Sequence, residues 1–212
     1  MKKISFILLL AAVLGRVEAQ DLRKDRVVKL GFNIGANVSN YLTDNKYYDK
    51  LNAWNANFHI AFMQDFMVAK PFYIQTEISY TGLGISRKID DGSHEISYRN
   101  NLHYIQIPAL MKLKFGNLVK GYFFTGPYVG FLANANIVTR TGKSSIITDV
   151  TEDFKTVDAG LKSGVGVEFW VVGKHNLAFE FRYTQGFIDN NKALPRYWNS
   201  SFGLHFMYMF DL

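Results

Sequence analysis

Residues 201–212 place Phe202, Leu204, Phe206, Tyr208 and Phe210 on every second position, with Ser201, Gly203, His205, Met207, Met209 and Asp211 between them. One face is apolar and aromatic and the other mixed, which is the period of a strand and not of a helix. The same alternation recurs along the chain. Leu30, Phe32, Ile34, Ala36 and Val38 oppose Gly31, Asn33, Gly35, Asn37 and Ser39, and Phe58, Ile60 and Phe62 oppose Asn57, His59 and Ala61. Ile74, Thr76, Ile78 and Tyr80 oppose Tyr73, Gln75, Glu77, Ser79 and Thr81. Further strands are predicted over residues 102–115, 120–134, 157–171 and 177–184, giving eight in all. The fifth is glycine-rich and its facing is ambiguous; Phe123, Val129 and Phe131 are assigned outward.

The links between these strands alternate strictly. Short turns centre on Lys70, Asn117 and Gly173, and long polar loops cover residues 43–55, 87–100, 137–156 and 189–197. A soluble sandwich has no reason to sort its links this way, whereas a barrel crossing an outer membrane has short periplasmic turns and longer external loops. The predicted fold is therefore all-β: an eight-stranded antiparallel up-and-down transmembrane β-barrel with both termini periplasmic and the long loops extracellular. Backbone groups cannot stay unpaired in lipid, so the first strand must close on the last. Pro108 and Pro127 fall inside predicted strands, where each removes a ladder donor, and are expected at bulges or near the rims.

Composition sharpens this picture. Of 212 residues, 16% are aromatic and none is cysteine, so disulfides, thiolate metal sites and an acylated N-terminal cysteine are excluded. The formal charge of +6 is scattered over loops and strand ends without a stripe, which argues against nucleic acid as a partner. Lys2 and Lys3 precede an apolar run over residues 4–14, and Val17-Glu18-Ala19 follows. This reads as a signal peptide over residues 1–19, cleaved after Ala19; the run is too short to span a bilayer as a helix. Residues 20–28 read as a periplasmic lead-in and 29–212 as the barrel. Ser201, Gly203, Phe206 and Tyr208 resemble the C-terminal signal read by barrel-assembly machinery, an expected partner alongside outer-membrane lipid and lipopolysaccharide.

Leu102-His103-Tyr104-Ile105-Gln106-Ile107-Pro108 resembles a signature of small outer-membrane barrels of Bacteroidetes, the porin-family or PorT-like proteins. Gly126-Pro127-Tyr128-Val129-Gly130 is similar to that family's glycine-proline strand. Asp158, Gly160, Gly164, Gly166 and Glu168 are similar to its sixth strand, and Arg182-Tyr183 with Gly186 to its seventh. The resemblance covers about residue 29 to the C-terminus. It implies a fold and an outer-membrane location; the family's named member takes part in protein secretion, and nothing here is specific to that role.

Candidate lumen residues are Asn33, His59, Gln75, Glu77, Lys112, Lys162, Glu168, Glu180, Arg182 and His205. A polar network is predicted among Glu77, Lys112, Lys162, Glu168, Glu180, Arg182 and His205, with the glutamates pairing with Arg182, Lys112 or Lys162, because an unpaired charge there is expensive. An eight-stranded barrel is about wide enough for side chains to fill, so the lumen is read as a packed polar plug. Inward glycines leave a narrow porin-like passage for small solutes as the alternative, and equally offer space for large inward aromatics. A lipid A-modifying enzyme is the sharper alternative, with Ser201, His205 and Glu180 as its only candidates. Ser201 and His205 lie about 13 Å apart at the usual strand rise, too far for a nucleophile–base bond. No histidines have metal-ligand spacing and no phosphate loop of the GxxxxGK type occurs, so no catalytic, cofactor or metal site is assigned. Tyr41, Tyr80, Phe115, Trp170, Phe187, Trp198 and Phe210 are expected in the two interfacial girdles. The loop aromatics Tyr47, Tyr48 and Trp54 are candidates for contacting a sugar or an unknown extracellular or periplasmic partner. A soluble periplasmic barrel would require the apolar rows to point inward.

Overall fold

The computed structural model describes residues 28–44, 52–90, 95–117, 119–142, 144–193 and 196–212. The expected leader over 1–19, most of the expected lead-in over 20–28, and Tyr47 and Tyr48 lie outside the described residues. The described residues form nine strands: β1 (Val28–Thr43), β2 (Ala53–Ala69), β3 (Phe72–Asp90), β4 (Glu95–Gly116), β5 (Val119–Thr141), β6 (Ser144–Asp149), β7 (Val157–Val172), β8 (His175–Gly186) and β9 (Tyr197–Asp211). The sheet runs β4-β3-β2-β1-β9-β8-β7-β5, and β4 pairs with β5 to close it. Eight strands thus form an antiparallel up-and-down ring, with β6 outside it on the upper part of β5. The closing β1–β9 ladder is continuous from Lys29↔Asp211 to Thr43↔Tyr197.

The alternating rows sort as a lipid-embedded barrel requires. Phe32, Ile34, Phe58, Ile60, Phe123, Phe179, Phe181 and Leu204 are exposed on the outer wall, while Asn33, His59, Glu77, Arg182 and His205 are buried inside. A belt of this size is untenable against water and natural against hydrocarbon. No helix among the described residues is long and apolar enough to cross a membrane; the crossing is made by strands. Phe123 and Phe131 face outward as expected, and Val129 is half-buried.

The structure corrects four expectations. Residues 87–100 and 137–156 are not simple loops. β3 and β4 stay paired out to Asp90↔Glu95, and β5 continues to Thr141, pairing with β4 on one side and with β6 on the other. Above the membrane both faces of a strand meet water, so the ladder persists after the apolar row has ended. Tyr41 is not a girdle residue. It shares the inward parity of Gly31 through Ser39 and is only 1% exposed, whereas Phe115, Phe187 and Phe210 do lie on the outside; Trp170, also expected in a girdle, has the inward parity of Glu168, pairs with buried Asn176 and is exposed at the β7–β8 turn. Trp54 is not a loop residue either: it sits on β2 with its ring 5.7 Å from that of Phe202.

The two prolines form the fourth case. They occupy neither a rim nor a bulge. Pro108↔Tyr128 and Met111↔Thr125 are in the same register, and only the bridges between them are missing. The β3–β4 ladder has the matching gap between Thr76↔Ala109 and Ser79↔Gln106, where the Ser79 hydroxyl donates to the Gln106 carbonyl at 3.1 Å. Pro108 and Pro127 therefore share one short interruption on neighbouring strands. Gly126 lets β4 approach there, since a Cβ at this position would run into the Ala109 carbonyl. Gly126→Ala is expected to destabilise the folded barrel by about 1–3 kcal/mol, the usual range for overpacking, measured by urea unfolding in vesicles.

Candidate functional site in the lumen and its outer mouth

Inward side chains from all eight ring strands fill the lumen. Small residues make this possible: Gly166 and Gly164 lie beneath the rings of Tyr122 and Phe124, and a Cβ on Gly35 would sit 2.7 Å from the His205 ring. The buried charges are balanced among the described residues. Asp65, Glu77, Asp158, Glu168 and Glu180 face Lys29, Lys112, Lys114, Lys162 and Arg182, all at 5% exposure or less.

Eight of these ten charges form two ion-pair groups. In the middle of the barrel Arg182 holds Glu77 with Nη1 at 2.9 Å and Nη2 at 2.6 Å, and donates from Nε to Glu180 at 2.6 Å. Lys112 Nζ, at 2.8 Å, and the Tyr122 hydroxyl, at 2.7 Å, complete Glu180. Asn33 and Gln75 amides complete Glu77. The second group closes the periplasmic end. Lys114 bridges Asp65 at 2.6 Å and Glu168 at 2.7 Å, while Lys29 reaches Glu168 at 2.7 Å and Asp211 at 3.2 Å. Between the groups pack Met63, Leu110, Tyr122, Phe124, Ala178, Met207 and Met209. Buried pairs of this kind add little net stability, but they make each partner costly to remove.

All seven residues of the predicted network are inside the barrel, but they do not form one network. Glu168 belongs to the periplasmic group. His205 lies between Asn33 and Asn37, each ring nitrogen 3.1 Å from an amide oxygen, with its ring 4.5 Å from that of His59. Lys162 pairs with no glutamate among the described residues: its ammonium faces the Tyr128 ring at 5.5 Å, while Tyr128 and Asn199 hold Asp158 at 3.0 and 2.9 Å. His59, Lys162, Arg182 and His205 border a residual cavity of about 10 Å³, room for about one water molecule. Sequence reasoning missed Lys29, Asp65 and Asp158 as lumen charges. All three were legible by parity, since Lys29 continues the Gly31–Asn33 row, Asp65 the His59–Ala61–Met63 row and Asp158 the Gly160–Lys162 row.

Above this lies an apolar layer, with Tyr41, Leu83, Leu102, Tyr104 and Ala135 at its heart. It forms the floor of the extracellular mouth. Tyr197 stands in the wall with its ring 5.3 Å from that of Tyr41. Asp189 fixes it there, accepting from the Tyr197 and Asn191 N–H groups at 3.0 and 3.2 Å and from Lys155 at 2.8 Å. Partial burial works to raise the Asp189 carboxyl, and these hydrogen bonds outweigh it, holding the group below the ordinary carboxylate value.

A closed ring, a lipid-facing apolar belt and a charge-compensated interior define an integral outer-membrane β-barrel. A family model described as "Outer membrane protein beta-barrel domain" matches residues 18–192, and the chain belongs to that family. Its outer wall accordingly contacts outer-membrane lipid. No curated protein sequence matches the chain. Among solved structures, similar ones include Ail, the attachment invasion locus protein of Yersinia pestis, at 12% identity over 86% of this chain and 98% of that one, with a TM-score of 0.42. OprG from Pseudomonas aeruginosa is 8% identical over 88% and 96%, with a TM-score of 0.45. Neisserial surface protein A is 14% identical over 83% and 95%, with a TM-score of 0.42.

Proposed function

We propose that this protein is a sealed outer-membrane barrel that acts as a structural or accessory protein and binds through its extracellular end. The observation that carries this reading is the interlocked lumen. Eight of the ten buried charges are tied into ion pairs, the Arg182–Glu77 pair spans the ring from β8 to β3, and the cavity that Arg182 and His205 border holds about one water. An ion would have to displace Arg182 from two carboxylates to pass. The reading is non-enzymatic: both nitrogens of His205 face Asn33 and Asn37, and neither faces Ser201. Insertion by barrel-assembly machinery rests on the C-terminal Ser201, Gly203, Phe206 and Tyr208 pattern. Placement in the PorT-like branch rests on the residue 102–108 and 126–130 motifs.

Planar-bilayer recordings test it. Purified protein is expected to give no steady single-channel current at moderate voltage. A stable ohmic conductance would replace this reading with a narrow passage for small solutes.

A further inference from the structure

We infer that the extracellular mouth is a binding site for a neutral sugar residue, a refinement that rests on the reading of a sealed barrel binding at its outer end. The mouth holds two adjoining chambers, of about 270 Å³ and about 460 Å³, which share Asn100, Ile137 and Tyr197 as lining. The smaller chamber is walled by Tyr41, Tyr98 and Tyr197 with Ile85 and Ile137, and is closed below by the fully buried Leu83, Leu102 and Tyr104. It is a dead-end recess on a rigid floor and not the entrance of a channel.

The wall chemistry selects the occupant. Aromatic and aliphatic surfaces dominate, so the ligand needs an apolar face. Two polar atoms of the lining nevertheless lack a hydrogen-bond partner among the described residues: the hydroxyl of Tyr41, whose residue is 1% exposed, and Oδ1 of Asn100. A buried polar atom left unpaired is an unfavourable resting state that a ligand can relieve. The phenol donates or accepts, but the carboxamide oxygen only accepts. The occupant must therefore bring hydroxyl or N–H donors as well as an apolar face. Charge narrows the choice further. Arg87 in the smaller chamber disfavours a cation, and the larger one sets Glu152 and Asp153 beside Lys192, so the mouth as a whole selects neither sign of charge. A pyranose meets all of these demands, with a C–H face to lie on a tyrosine ring and hydroxyls around its edge. A hydrocarbon would leave both polar atoms unpaired.

The mouth is also prepared for a rigid ligand. Arg87 donates from Nε to Asn52 at 2.8 Å and from Nη2 to the Tyr197 hydroxyl at 3.3 Å, and Asn190 N–H donates to the Tyr197 carbonyl at 2.8 Å. The ring of Tyr197 is thus held from both ends before any sugar arrives, which reduces the ordering cost of binding.

Saturation-transfer difference NMR on the full chain in lauryldimethylamine oxide micelles, which carry no sugar, tests the inference. The probes are the methyl α-D-glycopyranosides of glucose, mannose and galactose, with toluene and benzoate as apolar and anionic controls. At least one glycoside is expected to receive saturation. Tyr41→Phe, which keeps the ring and removes the hydroxyl, is expected to weaken that glycoside about five- to tenfold, the worth of one neutral hydrogen bond. Ile137→Trp fills the chamber and is expected to abolish the signal, with heat-modifiable gel migration showing that each variant is folded. Rough-type lipopolysaccharide added to the micelles competes if the natural sugar is borne by a membrane lipid and leaves the signal intact if it is a free saccharide; either result is in accord with the site. No transfer to any glycoside, a signal undiminished by Ile137→Trp, or toluene or benzoate binding more tightly than all three sugars overturns the assignment. Silent bilayers together with sugar failure remove this inference alone, whereas a steady current removes the sealed-barrel reading beneath it.

Discussion

Arg182→Met is expected to lower the unfolding free energy by about 3–5 kcal/mol, the range for stripping one partner from a buried ion pair. The substitution keeps an unbranched side chain of comparable length and deletes the guanidinium. Glu77 then loses two charge-assisted hydrogen bonds, at 2.9 and 2.6 Å, and keeps neutral amides from Asn33 and Gln75 as its hydrogen-bond donors. Glu180 loses one bond at 2.6 Å but retains Lys112 and Tyr122. Most of the loss should therefore be traceable to Glu77, and the double variant Glu77→Gln/Arg182→Met should recover a large part of it. Urea unfolding in vesicles, followed by tryptophan fluorescence, measures both. Lys155→Met is the internal control: its partner Asp189 sits in a loop and the Lys155 side chain is 43% exposed, so its loss should stay within about 1 kcal/mol. Similar losses for Arg182→Met and Lys155→Met would show that the lumen is open to water.

The membrane part of the fold was legible because lipid enforces a strict rule. Each crossing strand must show hydrocarbon an apolar row and turn everything else inward, so Leu30–Val38 and Phe202–Phe210 announce both strand and facing. The signal fades where the solvent changes. Lys88, Ser97 and Arg140 lie on paired strands above the bilayer, and with water on both faces nothing in their pattern distinguishes ladder from loop. β6, with Ile146 and Ile147 both exposed, has no buried face to announce it. Tyr41 was misplaced by a different error: its residue type suits a girdle, but its parity places it inside.

The site divides along the same line. Parity identified most of the charges that enter the lumen, but not which of them meet. Pairing depends on height along the barrel axis and on neighbours many residues away in the chain. Glu168 lies near the β7–β8 turn, level with Lys114 near the β4–β5 turn and Lys29 at the chain's entry, and so never reaches Arg182. The outer mouth was invisible for the same reason. Tyr41, Arg87, Asn100 and Tyr197 come from four strands, and only ring closure brings them to one chamber.

The outer wall makes the remaining large prediction. Ile34 lies midway along β1, 54% exposed, and is paired across the closing ladder with Phe206. Leu42 lies on the same face of the same strand near the extracellular rim, 45% exposed and opposite Trp198. In a water-soluble protein, arginine at two such exposed positions would be tolerated alike. In a bilayer the cost is graded by depth: about 2–4 kcal/mol for arginine at the midplane, falling to about 0–1 kcal/mol at the interface. Ile34→Arg is therefore expected to be strongly destabilising and Leu42→Arg nearly neutral, by the same urea titration in vesicles. The gap should shrink in detergent micelles, where water reaches the belt more readily. Equal effects at both positions in vesicles would mean that hydrocarbon does not grade this wall, and that the exposed phenylalanines cover some other apolar surface.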